Sequence, residues 1–413
     1  MLKDDIIQYF RDGEKVHDDF TMGAEFEHLL VNNIDLQSIS FTGPRGIEVL
    51  LKQLTQKGWQ EIREDERLVG LSKEGTVLTL GPGGQLKLSV QPTKSLKEID
   101  NTYLKFLRDT FPYLEENNQH MLAVGYLPVS KITEIDSVPG IRYELLAKYL
   151  PEQGPAEYQM LKGAAATQLA VDYAHQDDFR KKIQVAYALT PAISALFDNA
   201  PIFEGEVYQD YSLRTRIGRN RRENRCLIGN IMKKDFGYAD YADFLLNASP
   251  LFIQDGTEYV YTGEKNLAEI YQDKELTQEA IEHVLTMICP DIRLKQFLEL
   301  RMADALPYPL NLAYITLWKA LLYSQENLDA LYEFTMTVTQ AEIEQAKEDL
   351  IKEGLNAKLG QGTLRDLAKD LFFMSGNYLK PAEAHYLQPL EPLIFQEIIP
   401  RDITLRHLRE MQK

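Results

Sequence analysis

Residues 23–27 read Gly-Ala-Glu-Phe-Glu. In a strand, Glu25 and Glu27 would project from one face while Ala24, Phe26 and His28 point the other way. Two carboxylates held side by side repel each other unless a cation lies between them, and magnesium, with its preference for oxygen ligands, is the usual one. The same residues equally suit a solvated strand face, so the pair alone leaves both readings open. A second group is 212–226, SLRTRIGRNRRENRC, which holds Arg214, Arg216, Arg219, Arg221, Arg222 and Arg225. Guanidinium forks so concentrated suit phosphates or a carboxylate. A solvated loop paired with local acids, or an RNA contact, would also account for them. The alternation of Ser212, Arg214 and Arg216 predicts a strand with all three on one face.

Two further stretches carry charge in patterned surroundings. In 79–90, TLGPGGQLKLSV, Lys87 stands in a polar row with Gln85 and Ser89, opposite Leu86, Leu88 and Val90. In 291–304, DIRLKQFLELRMAD, the residues Leu294, Phe297, Leu298 and Arg301 fall at helical spacing. That predicts a helix with Arg301 at the edge of its core stripe and charges snorkelling from it. The seven histidines are scattered without metal-ligand spacing, and no nucleophile elbow, Walker loop or dinucleotide fingerprint is present. Cys226, beside Arg225, reads as a buried structural thiol or a redox-sensitive one.

The elements that must position these groups follow from periodicity. Residues 22–31, 76–80 and 85–91 read as strands. The last two, joined by Gly81-Pro82-Gly83-Gly84, must be antiparallel neighbours, since a parallel crossover needs a dozen or more residues. Ser95-Leu96-Lys97-Glu98 has the spacing of a capping box, opening a helix with Leu96, Ile99, Tyr103, Leu104, Leu107 and Phe111 on its apolar face. Residues 167–173 resume strand chemistry, and Asp178 to Ala200 reads as a buried helix. Beyond about Leu276, five stretches (277–288, 291–304, 311–324, 326–353 and 363–374) suit helices. The expectation is an α+β protein in one domain, 1–413, with a sheet-bearing part over 1–275 and a helical part over 276–413.

Bulk properties narrow the class. The 413 residues are 44% hydrophobic and 26% charged, enough for a sizeable core. With 62 acidic against 45 basic residues, the net charge of -17 argues against nucleic acid or an anionic membrane as the main partner. Two cysteines are too few for a disulfide framework or a thiolate zinc site. No run approaches the roughly 20 apolar residues that span a bilayer, and the N-terminus lacks a stretch of signal length. These features together predict a cytoplasmic protein.

Taken in order, the segments GAEFEHLLVN, TLGPGGQLKLSV, GIRYELLAKYLP, MLKGAAATQLAVDY, PAISALFDNAPIFEGE, YSLRTRIGRNRRENRC, FGYADY and DIRLKQFLELRMADALP resemble one family over most of the chain. It is that of the glutamate–cysteine ligases of the plant and bacterial type, carboxylate–amine ligases distantly related to glutamine synthetase. The resemblance implies an antiparallel sheet forming a bowl covered by helices, a glutamine synthetase/guanido kinase-like fold that holds ATP and Mg2+. It also implies that glutamate is activated as a γ-glutamyl phosphate, which cysteine or another amine then attacks. Position by position, it makes Glu25 and Glu27 metal ligands, and Arg142, Gln168 and Asp172 substrate-pocket residues. Arg214 and Arg225 would reach a substrate carboxylate or phosphates in a catalytic role. Gln85, Arg225 and Arg301 would lie at the ATP, with Glu299 and Arg301 on a helix near the pocket.

The family's turn usually reads Leu-Glu-Pro-Gly-Gly-Gln-x-Glu, whereas this chain has Gly81 and Lys87 in the glutamate positions. It also has Gly218 in place of a tryptophan, Arg222 at an acidic position and Ala170 at a small polar one. Two expectations follow. One is a working ligase in which Lys87 stands in for one magnesium. The other is a degenerate paralogue that keeps the fold as a ligand-binding or regulatory protein.

Overall fold

The computed structural model of the protein describes residues 1–64, 66–149, 154–221, 223–256 and 258–411; Arg222 therefore lies outside the described residues. Nine strands make the main sheet: β1 Met22–Asn32, β2 Gln60–Glu64, β3 Arg67–Lys73, β4 Thr76–Leu80, β5 Leu86–Ser89, β6 Gln119–Leu122, β7 Ala166–Val171, β8 Ile292–Leu294 and β9 Leu298–Asp304. Their order is β8-β9-β7-β1-β5-β4-β3-β2, with β6 pairing the far end of β1, and every pairing is antiparallel. The α+β class is as expected.

β4 and β5 form the hairpin that the glycine-rich turn predicts, with Thr79 opposite Lys87 and Leu80 opposite Leu86. Gly83 is needed there because a Cβ would collide with the Lys162 carbonyl. β1 has the expected two faces. Ala24, Phe26 and His28 are buried against helix α1, Leu96–Glu116, where the Phe26 and Tyr103 rings lie 4.6 Å apart. His28 Nε2 is 2.9 Å from the Tyr103 hydroxyl, and burial lowers its pKa to about 4, so it is a neutral core residue. Ser95 caps α1 as expected, its side chain accepting from the Glu98 amide.

The helices that bear on the site are α2 Ile141–Tyr149, α3 Pro155–Lys162, α4 Gln176–Leu196, α5 Leu213–Arg219, α6 Glu223–Cys226 and α7 Leu310–Tyr323. α1, α4 and α7 contribute to one continuous apolar core with the Leu- and Val-rich face of the sheet. No helix among the described residues is long and apolar enough to cross a membrane.

Three expectations fail. Residues 291–304 are the β8–β9 hairpin rather than a helix. Leu298 and Leu300 point into the core while Glu299 and Arg301 alternate on the other face, because β7 beside them supplies a pairing edge. Ser212, Arg214 and Arg216 are not on a strand. Residues 213–219 form helix α5, whose Leu213 and Ile217 bury one helical face. The 326–353 stretch is two helices, Gln325–Thr335 and Gln340–Glu353, the second opened by a Thr339–Glu342 capping box.

Candidate functional site

Sheet register builds the site. Glu27 pairs with Lys87, and Glu25 pairs with Ser89 on one side and Gln168 on the other. On the next strand Glu299 lies opposite Ala170, and an irregularity between Leu300 and Ala303 brings Arg301 beside Gln168. A polar row thus crosses the face of the sheet opposite the core. Over it α2, α3, α5 and α6 close a small cavity of about 180 Å³.

The wall of this cavity is strongly cationic. Lys87, Arg142, Arg214, Arg221, Arg225, Arg293 and Arg301 line it, against the carboxylates of Glu27 and Glu157. In a chain of net charge -17, such a local surplus suits an anion. Each cation but one is anchored from behind. Glu157, buried on α3, pairs through Oε2 with Arg221 Nη2 and through Oε1 with Arg225 Nη2, both at 2.9 Å. The Arg225 contact is off the hydrogen-bond axis, so Nη2 of this buried guanidinium has no hydrogen-bond partner among the described residues. Glu299 Oε2 lies 2.5 Å from Arg293 and 2.8 Å from Arg301, and its Oε1 lies 3.2 Å from Lys295. Burial alone would raise its pKa, but those three cations hold it far below the usual carboxylate range. Arg214 donates to the Ala303 carbonyl at 2.6 Å and to Asp304 at 3.2 Å, which fixes it to the irregular end of β9. Arg142, at the rim, has no carboxylate partner among the described residues; its Nη2 donates to the Thr286 carbonyl at 3.4 Å and lies 3.7 Å from the Met287 sulfur.

Of the residues expected from the sequence, Glu27, Gln85, Lys87, Arg142, Gln168, Arg214, Arg225 and Arg301 come together at the cavity. Glu25 adjoins them through Gln168, whose Nε2 is 3.1 Å from a carboxylate oxygen of each glutamate. Asp172 is not among them. β7 ends at Val171, and Asp172 turns to Lys15 at 2.8 Å and to the Thr21 amide at 2.7 Å, tying the start of β1 to β7. The Gln85 side chain is spent on the turn itself, with Oε1 accepting from Gly83 and Nε2 donating to the Leu161 and Ala164 carbonyls. It shapes the wall and has no amide group left for a nucleotide.

A magnesium ion at Glu25 and Glu27 does not fit these residues. Lys87 Nζ sits 2.5 Å from Glu27 and 3.7 Å from Glu25. A divalent ion about 4 Å from that ammonium would be repelled by roughly 8 kcal/mol at an effective dielectric of about 20. Burial would lower the Lys87 pKa, but Glu27 and Glu25 outweigh it and hold the ammonium charged; burial would likewise raise Glu27, and Lys87 pulls it down. No group of three or more His, Cys, Asp or Glu side chains is placed to hold a metal among the described residues.

The sequence reading missed Glu157, Arg221 as a pocket residue, and the thiol pair. Cys226 is neither fully buried nor alone, since its sulfur lies 2.7 Å from that of Cys289 in the cavity wall. A hydrogen bond between the two sulfurs lowers the pKa of one thiol and raises that of the other, and Arg221 favours a thiolate at either against burial. Iodoacetamide near neutral pH is therefore expected to label one sulfur of the pair ahead of the other. Peptide mapping by mass spectrometry checks the order, and equal labelling of both would contradict it.

The chain matches the family model for glutamate–cysteine ligase family 2 (GCS2) over residues 21–388. The chloroplastic glutamate–cysteine ligase A of Oryza sativa subsp. japonica is 27% identical over 417 residues, covering 98% of this chain and 84% of its own length. The chloroplastic enzyme of Arabidopsis thaliana is 25% identical over 417 residues, covering 98% and 79%. Among solved structures, the glutamate–cysteine ligase of Francisella tularensis in complex with AMP shares the fold with a TM-score of 0.58 at 12% identity, covering 96% of this chain and 86% of that one.

Proposed function

The chain belongs to glutamate–cysteine ligase family 2, a family of ATP-dependent C–N ligases, and from that premise we propose that it joins the γ-carboxylate of glutamate to the amine of cysteine in the cationic cavity. The observation that carries this reading is the surplus of guanidinium groups over the polar face of the sheet. Both anionic partners of such a reaction, a triphosphate and an amino-acid carboxylate, need that surplus. In the first step a γ-carboxylate oxygen attacks the γ-phosphorus, the bond to the bridging oxygen breaks, and ADP leaves. In the second the amine attacks the acyl carbon, the C–O bond to phosphate breaks, and the amine loses a proton.

Arg142, at the rim without a carboxylate partner among the described residues, suits the glutamate α-carboxylate. Arg225 and Arg301, fixed by Glu157 and Glu299, suit the phosphoryl oxygens, where charge builds up as the γ-phosphoryl passes to the carboxylate. Arg214 buttresses β9 beneath them. The magnesium of the reaction is assigned to the nucleotide on which it arrives, with no carboxylate of Glu25 or Glu27 assigned to it. The protein is placed in the cytoplasm or another reducing compartment, in keeping with its free thiols.

Incubation with ATP, Mg2+, L-glutamate and L-cysteine is expected to release phosphate in step with γ-glutamylcysteine, followed by a coupled phosphate assay and mass spectrometry. Replacing cysteine by a panel of amines defines the acceptor. A second reading, a ligand-binding protein without turnover, is favoured only by Lys87 between the two glutamates. It would gain if no amine supported phosphate release while glutamate or nucleotide still bound.

A further inference from the structure

We propose that Lys87 is a built-in cation of the nucleotide site: its ammonium fills the place between Glu25 and Glu27 and offers its remaining N–H to the triphosphate, so that binding requires no metal held by the protein. This deepens the ligase reading and rests on it.

Four observations carry the inference. The lysine is placed by backbone register rather than by a flexible arm, since Lys87 and Glu27 are a cross-strand pair flanked by the β4–β5 hairpin. Every carboxylate oxygen of the two glutamates already has a donor. Glu25 Oε2 accepts from Ser89 at 3.0 Å, Glu27 Oε2 from the Ala166 amide at 2.8 Å, and both Oε1 atoms face Lys87 and Gln168. A cation entering there would have to break those bonds as well as face the ammonium. The turn offers no replacement acid either, because Gly81 stands where the family's turn carries a glutamate. Lastly, Lys87 lines the same cavity as Arg225 and Arg301, which brings its ammonium to the space those guanidinium groups border. Other groups acting on it are the Tyr143 hydroxyl, which donates to the Leu80 carbonyl, and Arg214, which lies within electrostatic reach of Glu27.

Counting bound Mn2+ by electron paramagnetic resonance separates this arrangement from a metal-holding one. Wild type without nucleotide is expected to bind no Mn2+ tightly, and with a non-hydrolysable ATP analogue only the ion the nucleotide carries. Lys87→Glu is expected to gain a further Mn2+ per chain. Calorimetry of the analogue in excess chelator gives the second readout. Wild type should still bind it, whereas Lys87→Met, which supplies neither a cation nor an oxygen ligand for magnesium, should bind it about tenfold more weakly or worse, through the lost charge-assisted contact and the unmasked carboxylates of Glu25 and Glu27. Equal Mn2+ counts in wild type and Lys87→Glu would overturn the inference, as would loss of wild-type binding on chelation. Turnover of wild type with Mg2+ tests the ligase reading separately, so an active enzyme holding an extra Mn2+ would sink the built-in cation and leave the ligase standing.

Discussion

Arg225→Ala is expected to lower kcat/KM for phosphate release by about 10²- to 10³-fold, the effect of removing one fixed donor from the charge that develops in a transition state. The guanidinium is buried, and Glu157 holds it at 2.9 Å without an aligned hydrogen bond to Nη2. Its position is therefore set from behind while an N–H is left for a ligand. The fold should tolerate the loss, because Glu157 keeps Arg221, whose Nε and Nη2 lie 3.0 Å and 2.9 Å from Oε2. Breaking a buried pair outright would cost far more, about 3–5 kcal/mol. Arg225→Lys keeps the charge but not the planar fork, so it should recover only part of the rate. Steady-state kinetics in ATP and in glutamate, beside urea denaturation curves, check the prediction. A variant as active as wild type would remove Arg225 from the site, and one that fails to fold would show that Glu157 needs both arginines.

How far the site was legible in the sequence depends on the range of the interactions that make it. The faces of β1 and the β4–β5 hairpin could be read because strand alternation and a Gly-Pro-Gly-Gly turn are local, whereas setting Lys87 opposite Glu27 takes the long-range pairing of β1 with β5. Residues 291–304 misled because Leu294, Phe297, Leu298 and Arg301 fit a helix while Leu298, Leu300 and Met302 fit a strand equally well. The decision belongs to β7, more than a hundred residues earlier in the chain. Arg214 and Arg216 alternate like strand residues, yet Leu213 and Ile217, four apart and both buried, make the segment a helix. Asp172 shares the parity of Gln168, but parity ceases to matter once β7 ends at Val171. Glu157 left no local trace at all. One acid on a short helix becomes a pocket residue only when tertiary packing brings Arg221 and Arg225 to it.

The largest effect on stability is expected at Glu299, where a single carboxylate gathers Arg293, Lys295 and Arg301. Glu299→Gln keeps the shape and removes the charge, leaving three cations facing one another in a poorly solvated corner. The cost at neutral pH should be about 3–5 kcal/mol, that of breaking a buried ion pair. Its pH dependence identifies the cause. The folded protein holds this carboxyl far below its unfolded value of 4.5, so the contribution is complete above that value. It is lost as pH falls from there toward the folded pKa, because protonation is easier in the unfolded chain. Urea midpoints of wild type and Glu299→Gln should therefore differ most near neutrality and converge in acid, with the slope belonging to wild type. A gap that stays constant down to strong acid would mean that lost packing, rather than lost charge, explains the variant. The same substitution frees Arg301 from one of its two anchors, the other being Gln168 at 2.7 Å. Phosphate release at neutral pH should then fall even where the variant is fully folded, since a loosened guanidinium must be reordered each time the anion binds.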